Sequence, residues 1–182
     1  MSYEFKVMTS PVGKLKLVAL QGKLIAILWE NDRPNRVKLG EMLAADDAPI
    51  LLETARQLTE YFTGERTRFE LDTNPIGTEF QKKVWNALLT IPFGETRSYR
   101  EIAVQVGNSR ATRAVGAANG RNPLSIITPS HRVIGSSGTL TGFAGGLTTK
   151  AALLALESDV KQRQQGAAFP TMQKRLLVTP IN

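Results

Sequence analysis

Ser98-Tyr99-Arg100-Glu101-Ile102-Ala103-Val104-Gln105-Val106-Gly107-Asn108-Ser109-Arg110-Ala111-Thr112-Arg113-Ala114-Val115-Gly116-Ala117-Ala118 decides how the second half of this chain is read. Ser98 followed three residues later by Glu101 is a capping box, so a short helix starts here and runs through Val106. Gly107-Asn108-Ser109 makes a tight turn, and residues 111–118 continue as a second helix rich in small side chains. Two short helices joined by a three-residue turn containing Gly fit a helix-turn-helix. The pattern is common by chance, so its surroundings must support it.

Charge is the first support. The chain carries 23 Lys and Arg against 16 Asp and Glu, a formal +7. Between Arg97 and Arg132 stand Arg97, Arg100, Arg110, Arg113, Arg121 and Arg132 against the single acid Glu101, so six minus one gives +5 in this stretch. A basic stripe of that kind is the footprint of phosphate binding, with a solvated surface as the bland alternative.

Upstream, Thr78-Glu79-Phe80-Gln81 is another capping box, and Phe80, Val84, Leu88 and Ile91 recur at helical spacing until Pro92. Residues 71–77, with Asn74-Pro75, read as a linker. Residues 49–63 carry a helical stripe, Leu51, Leu52, Ala55, Leu58 and Phe62, that stops at Gly64. The first 30 residues alternate as two or three strands, with Leu15 and Leu17 on one face and a turn at Gln21-Gly22. Downstream, Leu124-Ser125-Ile126-Ile127 reads as a short buried strand or extended segment. Residues 135–146 hold five glycines and read as a loop, and residues 149–157 form a helix with Ala152, Leu153 and Leu156 inward. The Gln-, Lys- and Arg-rich tail from Lys161 is expected to start mobile, with Leu176-Leu177-Val178 as a segment that could dock. The expected architecture is an α/β N-terminal domain (1–72) with a small antiparallel sheet and a helix, a mostly α-helical domain (73–160) with the helix-turn-helix, and a tail (161–182).

At 182 residues and 42% apolar, the chain can bury a core in one or two domains. No apolar run approaches the roughly 18–20 residues that span a bilayer, and the first residues lack signal-peptide order, so a cytoplasmic, nucleoid-associated protein without membrane contact is expected. With no cysteine there is no disulfide, thiolate metal site or thiol nucleophile. His131 is the only histidine, within Pro129-Ser130-His131-Arg132 after a buried segment. A serine beside a histidine invites a hydrolase reading. Adjacent side chains usually point apart, however, and no G-x-S-x-G elbow is present.

Residues 77–157 resemble the C-terminal domain of the O6-alkylguanine-DNA alkyltransferases, the methylated-DNA-protein-cysteine methyltransferases. The resemblance rests on Gly77-Thr78-Glu79-Phe80-Gln81, Val84-Trp85, Ile91-Pro92, Ser98-Tyr99, Arg113-Ala114-Val115-Gly116, Asn122-Pro123, Pro129-Ser130-His131-Arg132-Val133-Ile134 and Gly145-Gly146, all in family order. Thr9-Ser10-Pro11-Val12-Gly13-Lys14-Leu15 also looks like the family's opening strand.

The resemblance implies a DNA repair protein that acts on O6-alkylguanine, with O4-alkylthymine as a candidate second substrate, in duplex DNA. The helix at 111–118 is implied to enter the minor groove, where small Ala114, Gly116, Ala117 and Ala118 allow close approach, with Arg110 and Arg121 also at the DNA. Arg113 is implied to fill the gap left by the flipped nucleotide. Tyr99 is implied to crowd the target phosphate and donate to the guanine ring. Val133, Phe143 and Trp85 are the implied pocket residues, Phe143 standing where a tyrosine is frequent. Asn122 is implied to hold the turn, and His131, acting through a water and oriented by Glu157, to serve as base for the nucleophile at 130. No cofactor is implied. Some relatives bind zinc through N-terminal Cys and His, which this chain lacks there, so no metal is expected. A monomer is expected, with other repair proteins as candidate partners.

The chain departs from the family at Ser130, where the alkyl-accepting cysteine is expected. Displacement at saturated carbon needs a polarizable nucleophile; a thiol of pKa about 8.5 supplies one beside His, whereas a hydroxyl does not. Binding is therefore expected to persist without transfer. Three explanations compete: a cysteine-to-serine change made to hold the unreacted complex, which accounts for the otherwise intact site; a natural lesion sensor, though such relatives are usually short and lack the N-terminal domain; and a helix-turn-helix regulator, which does not need Trp85, His131 and Glu157 in register.

Overall fold

The computed structural model describes residues 2–176, and side-chain surroundings through Gly166. Its N-terminal part is a sheet of β1 (Tyr3–Ser10), β2 (Gly13–Leu20), β3 (Lys23–Trp29) and β4 (Met42–Ala44) in the order β3-β2-β1-β4. The three long strands pair antiparallel as the alternation predicts. Gln21 and Gly22 both have positive φ (51° and 77°), the conformation that a two-residue hairpin turn needs to match strand twist. The sequence reading missed β4, which adds parallel to β1, so the sheet is mixed rather than wholly antiparallel.

One face of the sheet packs on α1 (Pro49–Phe62), burying Leu15, Leu17, Ala19, Leu24 and Ile27 with Leu51, Leu58 and Tyr61. The buried helical stripe differs from the expected one. Leu52 is 47% exposed and Phe62 only partly buried, whereas Thr54, Gln57 and Tyr61 turn inward. Each has a hydrogen-bond partner there, which is what lets polar atoms replace leucine on the core face.

The second part is built around α2 (Glu79–Leu88), α3 (Tyr99–Gln105) and α4 (Thr112–Gly120). Both expected capping boxes are formed, at Thr78–Gln81 and Ser98–Glu101. Val84, Trp85, Leu88, Ile102, Ala103, Val115 and Ala118 make the core between them. Gly77 is required because a Cβ there would lie 2.3 Å from the Trp85 ring. The short strand or extended segment expected at 124–127 is reduced to one bridge, Ile27 to Leu124, after which the chain turns, with Thr128 N–H donating to Leu124 O at 2.8 Å. That bridge and Leu124, Ile126 and Leu153 in the first core join the two parts around shared apolar packing.

A two-residue parallel ladder, β5 (Arg97–Ser98) with β6 (Val133–Ile134), fixes the start of α3 beside a single 3-10 turn at Ser130–Arg132. The last helix, α5 (Leu147–Leu176), continues past Glu157 into the segment expected to be mobile. Leu177 and Val178 lie outside the described residues, as does the side chain of Leu176. No described helix is long and apolar enough to cross a membrane.

Candidate active site

Asn122 builds the bed of the site. Its Oδ1 accepts from Leu124 N–H at 3.0 Å, and its Nδ2 donates to Thr128 O at 2.8 Å and to Ser130 Oγ at 3.0 Å. Pro129 (φ −81°, ψ 65°) makes an inverse γ-turn closed by Ser130 N–H to Thr128 O at 2.8 Å. Ile126 is held at φ 76°, a left-handed conformation that costs a β-branched residue roughly 1–3 kcal/mol and persists only where its surroundings enforce it. The result is a Ser130 that is 2% exposed, its hydroxyl held by Asn122.

Behind it lies a buried charge cluster. Glu157 Oε1 accepts from Arg132 Nε at 2.7 Å and Gly94 N–H at 3.1 Å. Oε2 faces His131 Nε2 at 2.6 Å, and accepts from Tyr61 Oη at 2.7 Å and from the Arg132 guanidinium at 3.1 Å. Arg132 also donates to Ile91 O at 2.7 Å and lies over the Phe93 ring. Burial alone pushes the Glu157 carboxyl up, but its bonds to His131 and Arg132 outweigh this and hold it well below the usual carboxylate range. Burial pushes His131 down against the pull of Glu157, with Arg132 and Lys150 adding to the depression. The consistent state is an ionised Glu157 balanced by Arg132 beside a neutral imidazole.

That state assigns the tautomer. An ionised carboxylate only accepts, so His131 carries its proton on Nε2 and presents a lone pair at Nδ1. His131 Nδ1 is buried and has no hydrogen-bond partner among the described residues. It is a basic atom left open next to Ser130 in the chain.

Tyr99 and the 135–146 loop form the rim. Tyr99 Oη accepts from Thr141 Oγ1 at 2.7 Å, which leaves the phenolic proton free to donate outward. Lys150 is fully buried beneath them, donating to Val133 O at 2.5 Å and Thr141 O at 3.2 Å, with its ammonium 5.9 Å from the Tyr99 ring centroid. Burial brings its pKa down to about 8. Phe143 meets Trp29 edge-on at 5.5 Å, and Gly145 passes so close to Trp29 that a Cβ would lie 2.8 Å from it. The loop is thus pinned to the N-terminal sheet.

This rim opens onto a cleft of ≈ 1090 Å³. Arg113, Gly116, Ala117 and Arg121 line one side, Tyr99 and Phe143 lie within it, and Arg33, Asn35 and Lys38 line it from the N-terminal part. Its lining contains no carboxylate. Arg100, Arg110, Arg113, Ala114, Ala117 and Arg121 are exposed.

Three sequence expectations need correction. Ala118 is buried, its carbonyl accepting from the Trp85 indole N–H at 2.9 Å, so it packs inward rather than presenting a surface. Trp85 accordingly belongs to the α2–α4 core and edges a separate cavity of ≈ 250 Å³, not the cleft. Arg132 does not add to a phosphate-binding stripe, because Glu157 holds it inside. Arg97 is also engaged, with Glu95 at 3.4 Å.

Sequence reasoning missed Tyr61, Lys150, and Arg36 with Asp32. Arg36 forms two 2.6 Å bonds to Asp32 and donates to Asn122 O at 2.6 Å, tying the N-terminal part to the bed of the site. Lys150 had a signal: with Leu153 and Glu157 it follows the i, i+3, i+7 spacing of a buried face, where an unpaired charge is costly. Among the described residues no group of three or more His, Cys, Asp or Glu is arranged to hold a metal.

Two family models match the chain: the 6-O-methylguanine DNA methyltransferase ribonuclease-like domain over residues 4–75, and the DNA binding domain of the same family over residues 79–159. The methylated-DNA–protein-cysteine methyltransferase of Mycobacterium leprae is 50% identical over 150 residues, covering 82% of this chain and 89% of that protein. The protein of the same name from Methanosarcina barkeri is 60% identical over 107 residues, covering 59% of this chain and 68% of that one. The crystal structure of Mycobacterium tuberculosis OGT in complex with DNA superimposes with a TM-score of 0.80 at 44% identity, covering 88% of this chain and 94% of that one. This chain therefore belongs to the 6-O-methylguanine DNA methyltransferase family.

Proposed function

We propose that this chain binds duplex DNA, turns an O6-alkylated guanine out of the stack into the cleft lined by Tyr99 and the 135–146 loop, and holds it toward Ser130 without taking its alkyl group. The observation that carries the reading is the fixed Ser130 hydroxyl beside a neutral His131 whose Nδ1 is buried and open. With a cysteine at position 130, Nδ1 would take the thiol proton through a water. The sulfur would then bond the alkyl carbon as the carbon–O6 bond breaks, and the departing electron pair would be met by a hydrogen bond from Tyr99 to the guanine ring. The relatives are named protein-cysteine methyltransferases, and this chain has no cysteine. A serine hydroxyl keeps the shape of the pocket, but its oxygen lacks the thiolate fraction and polarizability that displacement at a saturated carbon needs.

The acid-free cleft supports phosphate binding, with exposed Arg113 on α4 suited to filling the space left by an extruded nucleotide. Extrusion costs a few kcal/mol, less where alkylation has weakened pairing. The test is Ser130→Cys. Incubated with a duplex containing O6-methylguanine, the variant gains the mass of one methyl group on the peptide carrying position 130, once per molecule, and the parent chain gains none. A variant that binds the lesion yet takes up no alkyl group replaces this reading with that of a non-enzymatic lesion sensor.

A further inference from the structure

Tyr61 stands 96 residues before Glu157 and comes from α1, on the far side of the shared core. It is fully buried, its ring packed near Phe62, Phe69 and Phe93 at centroid distances of 5.3, 5.5 and 6.1 Å. Packing alone asks only for a phenylalanine. The hydroxyl instead reaches Glu157 Oε2 at 2.7 Å, the same oxygen that His131 Nε2 meets at 2.6 Å. Burial, helped by the Glu157 charge, pushes the phenol far above its ordinary range, so it is a permanent donor.

Glu157 is saturated by this arrangement. A carboxylate offers about four lone-pair sites, and Gly94, two atoms of Arg132, Tyr61 and His131 all draw on them. Every donor added to Oε2 withdraws electron density from the others on it. We propose that Tyr61 is a positioning residue for the His131 base: by sharing Oε2 it fixes the carboxylate's orientation and limits how strongly Glu157 stabilises an imidazolium, and thereby makes the N-terminal domain part of the reactive centre. This inference rests on the reading of His131 as base. The charged groups facing that imidazole are Glu157, Arg132 and Lys150. Removing the hydroxyl adds or deletes none of these charges; it changes only the company that Glu157 Oε2 keeps.

His131 is the only histidine in the chain, so its imidazole signals in ¹⁵N-labelled full-length protein are unambiguous. In the parent chain the Nε2–H tautomer and a nuclear Overhauser effect between the Tyr61 hydroxyl proton and His131 Nε2–H are expected. In Tyr61→Phe the imidazole titrates at higher pH than in the parent, because Oε2 now acts on His131 with one competitor fewer. In the Ser130→Cys background the same substitution slows alkyl uptake at saturating DNA on the order of ten-fold, because a carboxylate no longer fixed in orientation holds the imidazole out of line and this outweighs the gain in basicity; loss of a base itself costs roughly 10²–10⁴, and the Kd for the lesion is unchanged. A His131 titration that coincides in parent and Tyr61→Phe overturns the proposal. If Tyr61→Phe does not fold, absence of the Overhauser effect in the parent chain overturns it. Failure of Ser130→Cys to take up alkyl groups overturns the reading of the site, while the titration shift would still stand for the coupling of Tyr61 to His131.

Discussion

The side-chain amide of Asn122 donates to the Ser130 hydroxyl at 3.0 Å, while the Asn122 backbone carbonyl accepts from Arg36 at 2.6 Å. One residue therefore ties the reactive position to the N-terminal domain. Replacing it by Ala removes the bonds to Leu124 N–H, Thr128 O and Ser130 Oγ. At about 1 kcal/mol each, with a buried N–H left unpaired, the loss is about 3 kcal/mol. Urea unfolding of Asn122→Ala is expected to show a lower midpoint at unchanged slope, and binding to O6-methylguanine duplex is expected to fall more than binding to undamaged duplex. An unchanged midpoint would contradict the role of Asn122 as the bed of the site.

DNA affinity is expected to fall steeply with salt and to depend only weakly on sequence, since cations without carboxylates dominate the charged lining of the cleft. Neither Arg33 nor Lys38 pairs with a carboxylate among the described residues, and both face the same cleft as Arg113 and Arg121. The slope of log K against log salt should shrink by about 0.9 for each phosphate that is no longer neutralised. Arg33→Ala with Lys38→Ala should therefore lower the slope as well as the affinity. A slope identical to the parent's would confine phosphate binding to the helical domain.

Arg113→Ala should weaken binding to duplexes containing O6-methylguanine more than binding to single strands carrying the same base, because only the duplex leaves a stacked gap to fill. Arg113 is exposed on α4 at the cleft, so its loss disturbs no core packing. Fluorescence of 2-aminopurine next to the lesion reports extrusion. A signal in the variant equal to the parent's would remove Arg113 from that role.

The helix-turn-helix was legible because the cap of its first helix is local: Ser98 with Glu101, like Thr78 with Gln81 at the start of α2, is complete within four residues. Glu157 opposite His131 was legible only through family resemblance, since 26 residues separate them. Tyr61 and Arg36 escaped notice for a physical reason. The partners that bring them to the site lie 96 and 86 residues away, Arg36 pairing locally with Asp32 as any surface i,i+4 pair would, and neither residue type betrays whether it faces solvent or a buried carboxylate or carbonyl. Ala118 was misplaced because small residues on α4 suit both close approach to DNA and close packing on Trp85, and the indole N–H decides between them by bonding the Ala118 carbonyl. β4 was missed because three residues at a sheet edge carry too short an alternation to register.

Lys150 makes stability depend on pH in a direction opposite to that of an ordinary surface lysine. Burial lowers its folded pKa to about 8 from 10.5. Below pH 8 it is charged in both folded and unfolded chains, and the folded chain bears the full cost of desolvating that charge. Between pH 8 and 10.5 the folded chain has released the proton while the unfolded chain still holds it, so the unfolded state binds more protons and stability rises with pH. The gain contributed by this one group is at most about 3 kcal/mol. Other groups titrate in the same window, so the informative quantity is the difference in unfolding free energy between the parent chain and Lys150→Met. Methionine fills the space of the lysine stem but leaves Val133 O and Thr141 O without their donor, which shifts the difference by an amount independent of pH. Superimposed on that constant, the parent should gain on the variant as pH rises from 8 to 10.5. A difference that stays flat across that range would mean that Lys150 keeps its proton in the fold, held by the two carbonyls more strongly than burial opposes it.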